Sequence, residues 1–117
     1  MEVGEVGSAA NPVVIDPNAP MDADTQKLLC KEKLNIVVVA SECAPFAKTG
    51  GLGDVAAALP KGLQARGHRV MVVMPRYKNY EGAIDTGVRI KFNFRGNDAE
   101  VGYFHMRKND VDHVFID

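Results

Sequence analysis

Hydrophobic and polar positions along the chain change pattern near residue 33. Before it, apolar residues follow neither a helical nor a strand period, and glycine, proline and aspartate punctuate the stretch (Gly4, Gly7, Pro12, Asp16, Pro17, Pro20, Asp22, Asp24). Residues 1–33 therefore read as a disordered linker, with one short apolar patch at Val13–Ile15 and a helical turn over Thr25–Leu29. From Leu34 to Ala40 the run is nearly continuous and β-branched, as in a strand buried on both faces of a parallel sheet. A loop from Ser41 to Gly51 follows. Leu52, Val55, Ala56, Leu59 and Leu63 then recur at helical spacing. Pro60 lies inside that stripe and predicts a kink or short break, and Gly67 predicts the helix end. Val70–Met74 reads as a second buried strand ended by Pro75, completing a strand–helix–strand unit with parallel strands.

Beyond Pro75 the period becomes two. Val88, Ile90, Phe92 and Phe94 alternate with charged or polar residues, predicting a half-buried strand. Gly96-Asn97-Asp98 predicts a hairpin turn, Glu100–Met106 the returning strand, Asn109-Asp110 another turn, and Val111–Ile116 a last strand. A chain ending on an uncovered strand is expected to be part of a longer α/β domain. The fold class is α/β, a partial Rossmann-like parallel sheet with a β-hairpin extension.

Composition narrows the functional classes. The chain has 117 residues, with 14 Lys+Arg against 15 Asp+Glu. No basic field points to nucleic acid or an anionic membrane, and no apolar run reaches the ~18–20 residues that span a bilayer. Two cysteines, Cys30 and Cys43, are too few for a disulfide scaffold. Trp is absent, so any sugar-stacking platform must use Tyr or Phe. The first 33 residues carry no Arg, one Ser and several acids, unlike a transit peptide.

The segment that carries chemistry is Lys48-Thr49-Gly50-Gly51-Leu52-Gly53-Asp54, between a strand's carboxyl end and a helix start. Ligands of open α/β sheets bind at that edge. Glycines permit close backbone approach, the helix start favours an anion, and Lys48 adds a mobile cation suited to a diphosphate. Such a site needs no metal and no cofactor. Asp54 is placed to cap the first turn. Spacing alone leaves a plain glycine-rich turn open. It also leaves open a dinucleotide fingerprint, since Gly51–Ala56 fits G-x-G-x-x-A; against it, the loop is long and Met74-Pro75-Arg76 stands where an acid is wanted.

His68, His105 and His113 show no metal-ligand spacing; His68 is expected in solvent and the others with local partners. Cys43 is expected as a small buried filler, and Glu42 as a hydrogen-bonding residue ahead of a general base. Arg76 and Tyr77 are expected in a solvated loop, and Lys61, Arg66 and Arg69 at a charged helix end.

Lys48-Thr49-Gly50-Gly51-Leu52-Gly53-Asp54-Val55, preceded by Ser41-Glu42-Cys43-Ala44-Pro45-Phe46, closely resembles the opening of starch and glycogen synthases, whose K-x-G-G-L signature it matches in full. Ala58–Lys61 and Gly67–Tyr77 continue the likeness, and Glu100–Asp117 is similar to the class II form of the plant soluble enzymes. The resemblance implies the N-terminal half of a GT-B fold, with 1–33 a linker and 34–117 the truncated beginning of that half. It implies a retaining, metal-free glucosyltransferase that moves glucose from ADP-glucose to the non-reducing end of an α-1,4-glucan (amylopectin or amylose), in plastids. It implies that Lys48, Gly50, Gly51 and Asp54 bind ADP-glucose, that no catalytic residue is assigned within this chain, and that the chain alone is inactive. The other readings are a non-catalytic module that binds glucan or a synthase, and a dinucleotide-dependent oxidoreductase.

Overall fold

The computed structural model describes residues 28–117. The linker reading of residues 1–27 and most of the Thr25–Leu29 turn lie outside them. Among the described residues the elements run β1 (Asn35–Val39), α1 (Gly51–Ala65), β2 (Arg69–Pro75), β3 (Ile84–Phe94), β4 (Asn97–Lys108) and β5 (Val111–Ile116), the strands forming one sheet with α1 packed against it. The sheet order is β1-β2-β5-β4-β3. β1, β2 and β5 run parallel, with Val38 opposite Val72 and Val72 opposite His113. β4 adds antiparallel to β5, and β3 adds antiparallel to β4. The expected α/β class, a partial Rossmann-like parallel sheet with a hairpin extension, is the one observed.

Three parallel strands thus end at the same edge. The Ser41–Gly50 loop leaves β1 there, and Arg76–Tyr80 leave β2 beside it. The core sits between α1 and the sheet and consists of Cys43, Ala56, Val72, Met74, Tyr80, Val111 and Phe115. Cys43 is fully buried, as expected of a small filler, and burial pushes its thiol pKa up.

Several elements differ from the sequence reading. β1 is not buried on both faces: Val37 and Val39 stay 57% and 76% exposed, while β2 buries Val70, Val72 and Met74 on one face and keeps Met71 and Val73 half-buried on the other. Helix α1 turns its small residues, Gly53, Ala56 and Pro60, to the sheet and leaves Leu52, Val55 and Leu59 outside. The buried face is therefore rotated roughly a quarter turn from the predicted stripe, because close approach of helix to sheet selects small side chains. Pro60 causes no break; the helix continues from Gly51 to Ala65 with its ring on the buried face.

The helix ends as expected. Gly67 adopts φ +102, its N–H donates to the Gln64 carbonyl, and the His68 N–H donates to the Leu63 carbonyl. That is the Schellman pattern, and it needs a left-handed residue.

β3 is exposed along its whole length instead of half-buried, since among the described residues its extensive contacts are with β4 beside it and no element covers its faces. Its turn lies at Arg95-Gly96, with φ 53 and 82, and Asn97 and Asp98 already belong to β4. Two left-handed residues match the twist that a two-residue hairpin requires. Asn109-Asp110 makes the second such turn, with φ 53 and 61.

Candidate functional site

Glu42 organises the loop after β1. It is buried, with 8% exposure. Its Oε2 accepts the Thr49 N–H at 2.9 Å and the Thr49 hydroxyl at 2.7 Å, and its Oε1 accepts the Gly53 N–H at 2.9 Å. One carboxylate therefore ties both ends of the glycine-rich turn. The Thr49 hydrogen bonds hold its pKa below the ordinary carboxylate range. The Ala44 N–H donates to the Gly53 carbonyl and the Ala47 N–H to the Cys43 carbonyl, so the loop is pinned along its length.

This corrects the expectation for Asp54. The N-cap is Gly50, with extended backbone and no side-chain cap bond. Capping comes from Glu42, outside the helix, because its carboxylate already holds the Gly53 N–H. Asp54 instead meets Lys48: Nζ to Oδ1 is 3.0 Å, with both side chains about half exposed. An exposed pair of this kind contributes about 0–1 kcal/mol, so the Lys48 amine is readily surrendered to a more highly charged partner.

The three glycines differ in what they do. A Cβ on Gly53 would lie 3.1 Å from Lys48 Cγ and 3.3 Å from the Ala47 carbonyl oxygen, so its absence lets the Lys48 stem lie against the helix. Gly50 and Gly51 have no such neighbour; a Cβ on either would meet nothing within 4 Å. Neither has a left-handed backbone. Contacts within the described chain do not require glycine at these two positions.

Other residues of this edge are ordered more than the sequence suggested. Arg76 is not solvated. Its guanidinium lies 3.8 Å above the Phe104 ring, pairs with Asp117 at 3.3 Å and donates to the Asn79 side chain. Tyr77 is exposed, yet its hydroxyl donates to the Ser41 carbonyl at 2.6 Å, joining the segments after β1 and β2. No periodic signal marks these contacts; Tyr77 and Ser41 lie 36 residues apart in the chain.

At the opposite edge, Asp112 is buried and collects His105 Nε2 at 2.9 Å, Arg69 Nε at 3.3 Å and Arg107 at 3.4 Å. Arg69 is thus a strand residue with an ion pair, not part of a charged helix end. Lys61 lies inside α1 and Arg66 is its C-cap residue. His68 is also engaged, its Nδ1 accepting the Leu34 N–H at 3.1 Å. His113 packs its ring 5.1 Å from Phe46, and its Nδ1 has no partner among the described residues, unlike the local bonding expected. No cluster of three or more His, Cys, Asp or Glu side chains is arranged to hold a metal among the described residues.

Comparison with known proteins bears on this arrangement. Residues 35–117 match the family model described as the starch synthase catalytic domain. The chain is 62% identical over 84 residues to starch synthase 2, chloroplastic/amyloplastic, of Arabidopsis thaliana, covering 72% of this chain and 11% of that protein. It is 48% identical over 117 residues to soluble starch synthase 2-1, chloroplastic/amyloplastic, of Oryza sativa subsp. japonica, covering 99% of this chain and 15% of that protein. A solved catalytic domain of starch synthase IV from Arabidopsis thaliana, bound to ADP and acarbose, aligns with TM-score 0.65 and 32% identity over 73% of this chain and 18% of the other. The chain therefore spans a small part of the length of each.

Proposed function

The chain belongs to the starch synthase catalytic domain family, in its plant class II branch, and from that premise we propose that it supplies the donor-facing loop of a plastid glucosyltransferase. The whole protein would transfer glucose from ADP-glucose to the non-reducing end of an α-1,4-glucan, with retention and without a metal, in starch synthesis. The division into a lead-in at 1–33 and the beginning of an N-terminal Rossmann-like half at 34–117 is part of this reading. The extent of the family match, 35–117, supports it. The chain alone is expected to show no turnover.

The observation that carries the reading is the geometry of Lys48 and its glycines. Lys48 stands at the carboxyl edge of the parallel strands, on a turn clamped by Glu42, with its stem seated on Gly53. Gly50 and Gly51 carry no side chain on a surface where one would fit. That is the arrangement expected where a ligand's phosphates approach the backbone. As the glucosyl bond breaks, negative charge grows on the departing diphosphate. A cation held beside it stabilises the transition state more than the bound substrate, and only that difference raises the rate. Asp54 holds the amine near the loop until the donor displaces it.

The test is Lys48→Ala in the complete synthase. Loss of about 10²–10³-fold in kcat/KM with ADP-glucose is expected, with less loss in Lys48→Arg. An unchanged rate and unchanged donor affinity would remove Lys48 from the site. Saturable binding of NAD(P) without binding of ADP-glucose would favour the oxidoreductase reading instead.

A further inference from the structure

A cavity of ≈ 240 Å³ lies where the middle of α1, the Ala44–Phe46 part of the loop and the β4–β5 turn meet. Its walls include Phe46, Pro60, Lys61, Lys108, Asn109 and His113; none of Lys48, Gly50, Gly51 and Asp54 takes part. We propose that this cavity binds a small phosphomonoester, at a site separate from the one that takes the donor's diphosphate.

Three observations support an anionic occupant. Charge is the first. Lys61 of α1 and Lys108 at the end of β4 both line the cavity, and no acidic side chain does. Lys48, Arg69, Arg76, Arg89 and Arg107 each meet a carboxylate, whereas Lys61 and Lys108 form no ion pair among the described residues. The Lys108 amine stands 5.6 Å from the Phe46 centroid, on the cavity wall. Two uncompensated like charges beside one cleft repel, and a dianion between them turns that repulsion into attraction.

A buried histidine is the second. His113 lines the cavity with 8% exposure, and its Nδ1 has no hydrogen-bond partner among the described residues. Buried polar groups are nearly always bonded, so an exception needs a cause. Burial first, then the Lys108 charge, holds the pKa of His113 below its ordinary value, so the ring is neutral and keeps one N–H. An oxygen of the anion gives that ring an acceptor.

The kind of donor is the third. A guanidinium fork matches a planar carboxylate, and no arginine lines this cavity. Lysine acts as a point charge. Two ammonium groups balance the two charges of a phosphomonoester, and a carboxylate would leave one of them unmatched. The rest of the wall is apolar, with Pro45, Phe46, Ala57, Pro60 and Val111, and suits a compact organic body behind the phosphate.

The experiment titrates phenyl phosphate, orthophosphate and the neutral benzyl alcohol into the complete synthase by calorimetry, with ADP-glucose saturating so that the donor site is filled. One phenyl phosphate should bind per chain, about tenfold tighter than either other probe. Lys61→Gln and Lys108→Gln should each weaken phenyl phosphate about fivefold or more, with the ADP-glucose Kd within about twofold of wild type. Lys48→Ala should leave the phenyl phosphate Kd unchanged. Unaltered phenyl phosphate affinity in both Gln variants would overturn the proposal, as would equally tight binding of benzyl alcohol or orthophosphate. Binding that ADP-glucose or Lys48→Ala abolishes would place the probe in the donor site and overturn it too. Lys61 and Lys108 are both exposed, and should one variant fail to fold, the other decides the comparison. The Lys48→Ala arm separates the two sites even in a protein that does not bind ADP-glucose, so failure of the glucosyltransferase reading and failure of this one are told apart.

Discussion

A carboxylate that receives three donors cannot be replaced by an amide without leaving one donor facing another. Glu42 is in that position, holding the Thr49 N–H, the Thr49 hydroxyl and the Gly53 N–H. Glu42→Gln is therefore expected to loosen the turn that presents Lys48, raising ADP-glucose KM several-fold in the complete synthase; an unchanged donor KM would show that the clamp does not position Lys48. At the other edge, burial raises the Asp112 pKa, but hydrogen bonds from His105 and Arg69, with the Arg107 charge, outweigh it and leave the carboxyl below its ordinary range. A lowered folded-state pKa contributes stability above the unfolded value near 3.9, and that contribution disappears as pH falls through the folded value. Asp112→Asn should accordingly cost about 2 kcal/mol at pH 7, with the difference from wild type shrinking below about pH 4. Denaturation followed at pH 7 and pH 3 checks this; a pH-independent difference would contradict it. Glu42 was legible in the sequence as a hydrogen-bonding residue. Its partners were not, because Gly53 lies 11 positions away across an irregular loop.

Among the elements, the end of α1 and its buried face teach different lessons. Gly67 was readable as a stop, since only a left-handed residue closes the Leu63–His68 pattern. Gly67→Ala should cost about 1–2 kcal/mol, and its Cβ would also crowd Cys30 Sγ at 3.2 Å. Amide exchange of His68 should then quicken by roughly tenfold; no change would mean the cap contributes nothing to local stability. The buried face was not readable. Gly53, Ala56 and Pro60 share the same helical period as Leu52, Val55 and Leu59, and periodicity cannot say which of two adjacent stripes meets the sheet. Size decides it, because the helix approaches more closely through small residues. The β4–β5 hairpin was legible because Asn-Asp accepts two left-handed residues. The β3–β4 turn was read one to two residues late because Arg95 takes that conformation in place of an Asn or Asp.

At the scale of the whole molecule, Val37, Val39, Leu52, Val55, Leu59, Ile90, Phe92 and Phe94 are all exposed, and β1 and β3 are the two sheet edges. Exposed apolar patches and open edges drive association. The 117-residue chain expressed by itself should self-associate and bind a hydrophobic dye, and Leu52→Lys with Val55→Lys should reduce both in sedimentation and fluorescence measurements. A well-behaved monomer without dye binding would show that these faces are covered within the chain. The sequence by itself determined the order of strands and helix, the parallel unit, the turns rich in Gly, Asn and Asp, and the placing of Lys48 at the strand–helix junction, because all of these follow from local period and backbone preference. Only the tertiary structure decided that Glu42 rather than Asp54 caps the helix, that Arg76 is packed on Phe104, that Tyr77 reaches Ser41, and which faces are covered. Those outcomes depend on distances between segments remote in the chain, and a one-dimensional pattern of apolar and polar residues carries no record of such distances.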